Sequence, residues 1–189
     1  MSLSTRVIAA LGAVVVIGAG TVGGSIAYAS GQDKPGGRVA TLTVGRSSIH
    51  AEPRALCYND GKPLDKDALA KCQADAKTAA DAGQLPTSDV TMSDRIGVGV
   101  DPGTADKGWF SFTDAGQQGQ TTLSSTRKGS TFSGLLPAAG LLATTQKTTV
   151  TVVEADEKNG DILAAWFFSL NNKDFVASTV PQSPAPPAQ

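Results

Sequence analysis

The sequence predicts a mainly β fold, a β-sandwich of about seven or eight short strands, and two kinds of observation carry that reading. One is periodicity. Val39–Val44 (VATLTV) and Arg95–Val100 (RIGVGV) alternate apolar residues with small or polar ones, the pattern of a half-buried strand. The other is punctuation: Asn59-Asp60-Gly61, Asp101-Pro102-Gly103 and Asn159-Gly160 set turn chemistry between the apolar runs.

The chain opens differently. Met1–Arg6 carries one positive charge, Val7–Ile17 is continuously apolar, and the run stays uncharged to Ala27-Tyr28-Ala29. An apolar segment closing on an A-x-A arrangement is the mark of a secretory signal peptide, here with cleavage between Ala29 and Ser30. Val7–Ala29 is also 23 residues without a charge, and roughly 20 suffice to span a bilayer as an apolar helix. Four glycines weaken such a helix, at about 1 kcal/mol each. Residues 1–29 therefore read as a signal peptide or a membrane anchor, and both place Arg6 inside and the bulk outside. The expected location is extracytoplasmic, secreted if cleaved or held to the membrane through Val7–Ala29 if uncleaved. Gly18, Gly20 and Gly23 reproduce G-x-G-x-x-G, but the polar SGQDKPGGR that follows cannot supply the helix and second strand of a dinucleotide site. No cofactor is expected.

Residues 30–38 read as a linker and 39–175 as the β domain. Val39–Val44 is the first strand and Ser48–Glu52 a weaker second, ended by Pro53. Asp65 is placed to cap a helix running to about Ala82 and stopped by Gly83. That helix is poor in bulky side chains over Ala74–Gln84, which predicts a mobile excursion. Cys57 and Cys72 are the only cysteines, and in an oxidising compartment they most simply form a disulfide. Strands follow at Asp89–Met92, Arg95–Val100, Gly108–Thr113 and Thr121–Ser125, with a short connection after Asp101. Thr131–Leu142 is an apolar loop or partial strand expected to cover one end of the core. Thr148–Glu154 and Ile162–Leu170 form a hairpin, with Asn159-Gly160 suited to a type I′ turn. Ile162–Leu170 is apolar on both faces, which demands a central position or a covering segment. The tight clusters Trp109, Phe110, Phe112 and Trp166, Phe167, Phe168 read as core strands. Residues 176–189 are a proline-rich tail expected to be disordered.

Charge and composition exclude several activities. The chain holds 16 Lys+Arg and 17 Asp+Glu, so it lacks the basic footprint of a nucleic-acid binder. One histidine, His50, cannot provide a blue-copper ligand set, and no relay partner for a serine or cysteine nucleophile stands out. Asp65 and Asp67 begin like a calcium loop, but Ala70 occupies the position that needs glycine. No catalytic or metal residues are assigned.

The order TLTVG, CYNDGKPL (Cys57–Leu64), IGVGVDPGTADKGW (Ile96–Trp109) and VTVVEA…GDILAAWFFSL resembles the actinobacterial domain-of-unknown-function family 2771, small exported or lipoprotein-like envelope proteins. The resemblance spans Val39 to Leu170 and implies an immunoglobulin-like β-domain tethered to the envelope, with no catalytic residues to carry over. Ser30 stands where lipoproteins carry their acylated cysteine. The expected function is a non-catalytic binding or structural module for an envelope protein or cell-wall component. Loops on a rigid scaffold carry recognition, which nominates Tyr58, Asn59, Asp60, Asp101, Asp106 and Trp109. The alternative is an envelope hydrolase using a carboxylate pair.

Overall fold

The computed structural model describes residues 38–115, 120–156 and 158–176. The expected leader with its expected Ala29/Ser30 cleavage position, the expected linker through Gly37 and the expected tail beyond Val176 lie outside them. Among the described residues no helix is long and apolar enough to cross a membrane.

The period-two runs become strands. In chain order these are β1 (Ala40–Val44), β2 (Ser47–Ala51), β3 (Thr87–Val90), β4 (Arg95–Val100), β5 (Trp109–Thr113), β6 (Thr121–Arg127), β7 (Leu136–Pro137), β8 (Lys147–Ala155) and β9 (Ile162–Asn172). Among the described residues two α-helices are inserted: α1 (Lys66–Asp81), between β2 and β3, and α2 (Pro102–Lys107), between β4 and β5. One sheet has the order β2-β1-β4-β7 and the other β3-β9-β8-β5-β6. Pairing is antiparallel except for β3 beside β9. Leu42, Ile96 and Val98 of the first sheet join Trp109, Val152, Trp166 and Phe168 of the second in one hydrophobic cluster.

β9 meets the demand its sequence makes. Ala164, Trp166, Phe168 and Leu170 are fully buried on the core side, and Leu163 and Ala165 are buried on the other. The outer side is covered by α1: Cys57, Cys72 and Ala165 form a second apolar cluster, with Phe167 packed against it. Asp65 caps α1 by accepting from Ala68 N at 2.7 Å, and Gly83, at φ +66°, turns the chain out of it. The Cys57–Cys72 disulfide is formed. Beside it Arg54 grips Asp75 through Nε and, at 3.0 Å, through Nη2.

The expected excursion over Ala74–Gln84 is not what the chain forms. Ala76 and Ala79 are buried on the underside of α1, because small side chains let a helix lie close to a sheet. Two further expectations change. Asn159-Gly160 does not make a two-residue type I′ turn, which needs positive φ at both central residues. Of this pair only Gly160 has it, at +72°, and the strands part at Ala155 and Ile162, leaving six residues in the loop. The connection after Asp101 is the helix α2, capped by Asp101 itself.

Residues 131–142 are expected over one end of the core; the segment 131–137 instead runs along the open edge of β4. Ser133 N donates to Val98 O and Val100 N to Thr131 O, both at 2.9 Å, and Ala138, Leu141 and Leu142 are buried. The segment lies so close to Gly97 that a Cβ there would come 2.6 Å from Gly134 O.

Two outcomes follow for urea denaturation of the full chain. Gly97→Ala lowers stability by about 1–3 kcal/mol, the usual consequence of overpacking; an unchanged midpoint would contradict the close approach. Replacing both cysteines with alanine lowers it by about 3 kcal/mol, the scale for a loop of this length.

Candidate functional site

The strand pattern that builds the core also carries a charge into it. On β8 the core-facing positions are Thr148, Val150, Val152 and Glu154, and all four are buried. Glu154 is 0 % exposed, and a carboxylate there demands a partner, since an unpaired buried charge costs several kcal/mol. Arg38 supplies it, with Nη1 on Glu154 Oε2. Thr104 Oγ1 lies 3.1 Å from the same oxygen and 2.8 Å from Asp101 Oδ2. One hydroxyl, with one proton, thus joins two carboxylates.

Each neighbour is set by a named element. Asp101 precedes α2, where its Oδ1 accepts from Thr104 N at 3.1 Å. Arg38 leads into β1, its carbonyl accepting from Trp166 Nε1 at 3.2 Å. Its guanidinium lies 5.2 Å from the centre of the Tyr58 ring, within cation–π range. Burial works against the Arg38 cation, while the hydrogen bond and charge of Glu154, then Tyr58 and Asp101, more than reverse this and raise its pKa. Strand register fixes the row. Trp109 of β5 stands opposite Glu154, Glu154 opposite Ala164 of β9, and Ala164 forms a bridge with Tyr58.

The two loops nominated from sequence are therefore brought together around a residue the sequence reading passed over. Tyr58 and Asp101 are half-buried against Arg38 and Glu154, whereas Asn59, Asp60 and Asp106 project into solvent. Asp60 holds φ +47°, the one non-glycine among the described residues with positive φ. Trp109 is corrected: it is 0 % exposed, donates Nε1 to Ser130 O at 2.7 Å and belongs to the core rather than to a recognition surface. Glu154 and Arg38 were the residues missed. An acidic residue on the apolar phase of a period-two strand was the available signal for Glu154; nothing in the linker singled out Arg38.

Chemically this is an engaged cluster. Both Asp101 oxygens and Glu154 Oε2 are occupied, and Glu154 Oε1 is buried without a hydrogen-bond partner. Three surface clefts, of about 340, 330 and 550 Å³, are lined by other residues. Among the described residues no three His, Cys, Asp or Glu side chains gather as a metal site. His50 lies on the exposed face of β2, its Nδ1 2.9 Å from Thr41 Oγ1. Comparison with family models, with curated proteins and with solved structures finds no match for this chain.

The cluster can be tested as an ion pair. Arg38→Met leaves Glu154 buried without its cation and lowers stability by about 3 kcal/mol. Adding Glu154→Leu to the same chain restores most of that loss in urea denaturation. A double variant no more stable than Arg38→Met would mean that the pair is not what holds this region.

Proposed function

We propose that residues 39–175 form an immunoglobulin-like β-sandwich of an extracytoplasmic, envelope-associated protein that acts as a non-catalytic binding module, and that the chain belongs to the actinobacterial family it resembles. The partner is an envelope protein or a cell-wall component. The observation that carries the reading is the Arg38–Glu154 cluster. It ties the Cys57–Leu64 turn, through Tyr58, to α2, through Asp101 and Thr104, so that Asn59, Asp60 and Asp106 are presented from a braced support. Recognition gains when a surface is ordered before its partner arrives, because less freedom is lost on binding.

Two further observations support it. The disulfide suits a compartment outside the reducing cytosol, in keeping with the leader. A hydrolase would need two acids open to one cleft, and the two acids joined here spend three of their four oxygens on Arg38, Thr104 and the cap of α2, the fourth being buried.

The reading is tested by capture. The full chain, cross-linked in its native host and recovered from the envelope, retains a specific partner. A triple variant Asn59→Ala, Asp60→Asn, Asp106→Asn keeps the wild-type unfolding midpoint and captures that partner at least about tenfold less well, a loss of about 1.4 kcal/mol. Equal recovery by the triple variant would remove these loops from recognition, and no recovery by either protein would count against a binding module altogether.

A further inference from the structure

A sheet that does not close into a barrel ends in strands with unpaired backbone groups, and such edges invite another chain unless something spoils them. Among the described residues the two sheets end in four such strands, β2 and β7 in one and β3 and β6 in the other. Three are spoiled. β7 is two residues long, and one of them is Pro137. β3 has four residues and directly follows Pro86. β6 is longer, but two shifts of register break its pairing with β5, and irregularities of that kind bend and twist a strand. β2 has none of these defences. Its five residues include no proline, lysine, arginine or carboxylate, and they pair with β1 without a shift.

The turn before β2 decides which of its backbone groups face outward. Gly45 and Arg46 alone separate the paired residues Val44 and Ser47, and Gly45 holds φ +57°, as the first residue of a type II′ turn requires. A two-residue turn makes its flanking residues a hydrogen-bonded pair, and along an antiparallel ladder such pairs alternate with unbonded ones. Ser47, Ile49 and Ala51 therefore spend their N–H and C=O groups on β1, while those of Ser48 and His50 point away from it. The side chains of Ser48 and His50 are exposed, and Ile49 is only partly buried against the core. One residue beyond each end of the strand stands an exposed charge, Arg46 at one end and Glu52 at the other. Neither has an ion-pair or hydrogen-bond partner among the described residues.

From this geometry we infer that β2 joins two copies of this chain, pairing antiparallel with its own counterpart about a two-fold axis at Ile49. That register sets Ser48 against His50 of the partner subunit, and His50 against the partner's Ser48, so the outward backbone groups of all four residues are matched. Ile49 meets Ile49 of the partner subunit and covers the apolar surface left open at the rim of the core. Arg46 comes opposite Glu52 of the partner subunit, and the same symmetry makes the second ion pair from Glu52 and the partner's Arg46. Charge selects both the register and the occupant. An axis at Ser48 would set Arg46 against His50, and one at His50 would set it against Arg54. An unrelated strand would satisfy the backbone equally well, but it would not carry opposite charges placed symmetrically about its centre. The two four-stranded sheets become one of eight strands. Because the joined strands run in opposite directions, the Glu154 ends of the two domains lie at opposite ends of the dimer. The inference goes beyond the proposed function and does not depend on it.

The test is sedimentation of the full chain in detergent over a range of concentrations. The wild type passes from monomer to dimer with a dissociation constant on the order of 100 μM or tighter. Arg46→Glu and Glu52→Arg each weaken the dimer at least about tenfold, since each turns two attractive contacts into repulsive ones. Mixed in equal amounts, these two variants associate with one another as well as the wild type does with itself, because one chain then carries two acids opposite two arginines. Ser48→Pro removes an outward N–H from an edge strand, where proline is tolerated. It keeps the unfolding midpoint of the wild type and stays monomeric. Should that variant fail to fold, the mixture of charge variants still decides. A chain that is monomeric throughout, a dimer indifferent to all three variants, or a mixture no more associated than its parts overturns the inference. So does a monomer whose Ser48 and His50 amides are protected from hydrogen exchange by an added peptide of residues 176–189, which would give the edge to that segment. Loop-dependent capture of an envelope protein by a monomer would leave the binding module standing and remove only the dimer.

Discussion

A strand that is apolar on both sides cannot sit on the surface of a two-sheet protein unless something lies over its outer face. β9 is that strand. Its inner residues Trp166, Phe168 and Leu170 fill the core, while Leu163, Ala165 and Phe167 alternate with them on the outside. Full burial of a single large apolar side chain is worth about 1.5–3 kcal/mol, so an uncovered outer face would forfeit much of what the inner face provides. The cover is α1, and nearly everything unusual about the chain between β2 and β3 follows from that duty. The helix is rich in alanine because it must lie close to the sheet. It is joined by a disulfide to the turn that precedes it, because an underside of alanine gives limited apolar grip.

The disulfide is not the only tie. Arg54 and Asp75 are placed beside it in sequence and bond through two parallel contacts, the geometry in which arginine holds carboxylates best. The Arg54 hydrogen bond holds the Asp75 carboxyl below its ordinary pKa, against a smaller opposing effect of burial. A depressed carboxylate contributes stability above its unfolded pKa and loses that contribution as pH falls through the folded one. This tie is therefore fully present at neutral pH and fades only in acid. The pair is only part-buried and remains in reach of solvent, so it steers the helix more than it stabilises the fold.

How much of this was legible depended on which physical rule governed each residue. Period two was enough for β1 and β4, because one apolar phase on each had a single core to face, while β9 was legible as a strand apolar on both faces that needed a cover. Asp65 and Gly83 announced the ends of α1 through local backbone chemistry alone. The failures were tertiary. Ala76 and Ala79 look too small to hold a helix until a sheet is placed beneath them. Phe110 and Phe112 look more apolar than Ser111, yet alternation obliges them to turn outward once Trp109 is committed to the core. Asn159-Gly160 carries the residues of a tight turn, but the ladder stops short of it, so the longer loop prevails. Glu154 was readable in principle, as a charge on the apolar phase of β8, and its partner was not: Arg38 meets it across 116 positions of chain.

That separation gives the buried pair its structural meaning. A charge pair of this kind rarely outperforms apolar residues of the same volume as a source of stability. What it imposes is a specific join. Glu154 can be accommodated only if Arg38, at the threshold of β1, reaches the end of β8, and Arg38 in turn carries the Tyr58 ring and accepts the indole proton of Trp166. Thr104 brings in Asp101 and with it the start of α2. Segments from the beginning, middle and end of the domain are thus referred to one carboxylate whose misplacement would leave a charge uncompensated in the core. The apolar core can tolerate small adjustments of packing at modest cost; a buried carboxylate cannot tolerate the loss of its cation. The loops that meet at Glu154 owe their fixed relation to that intolerance.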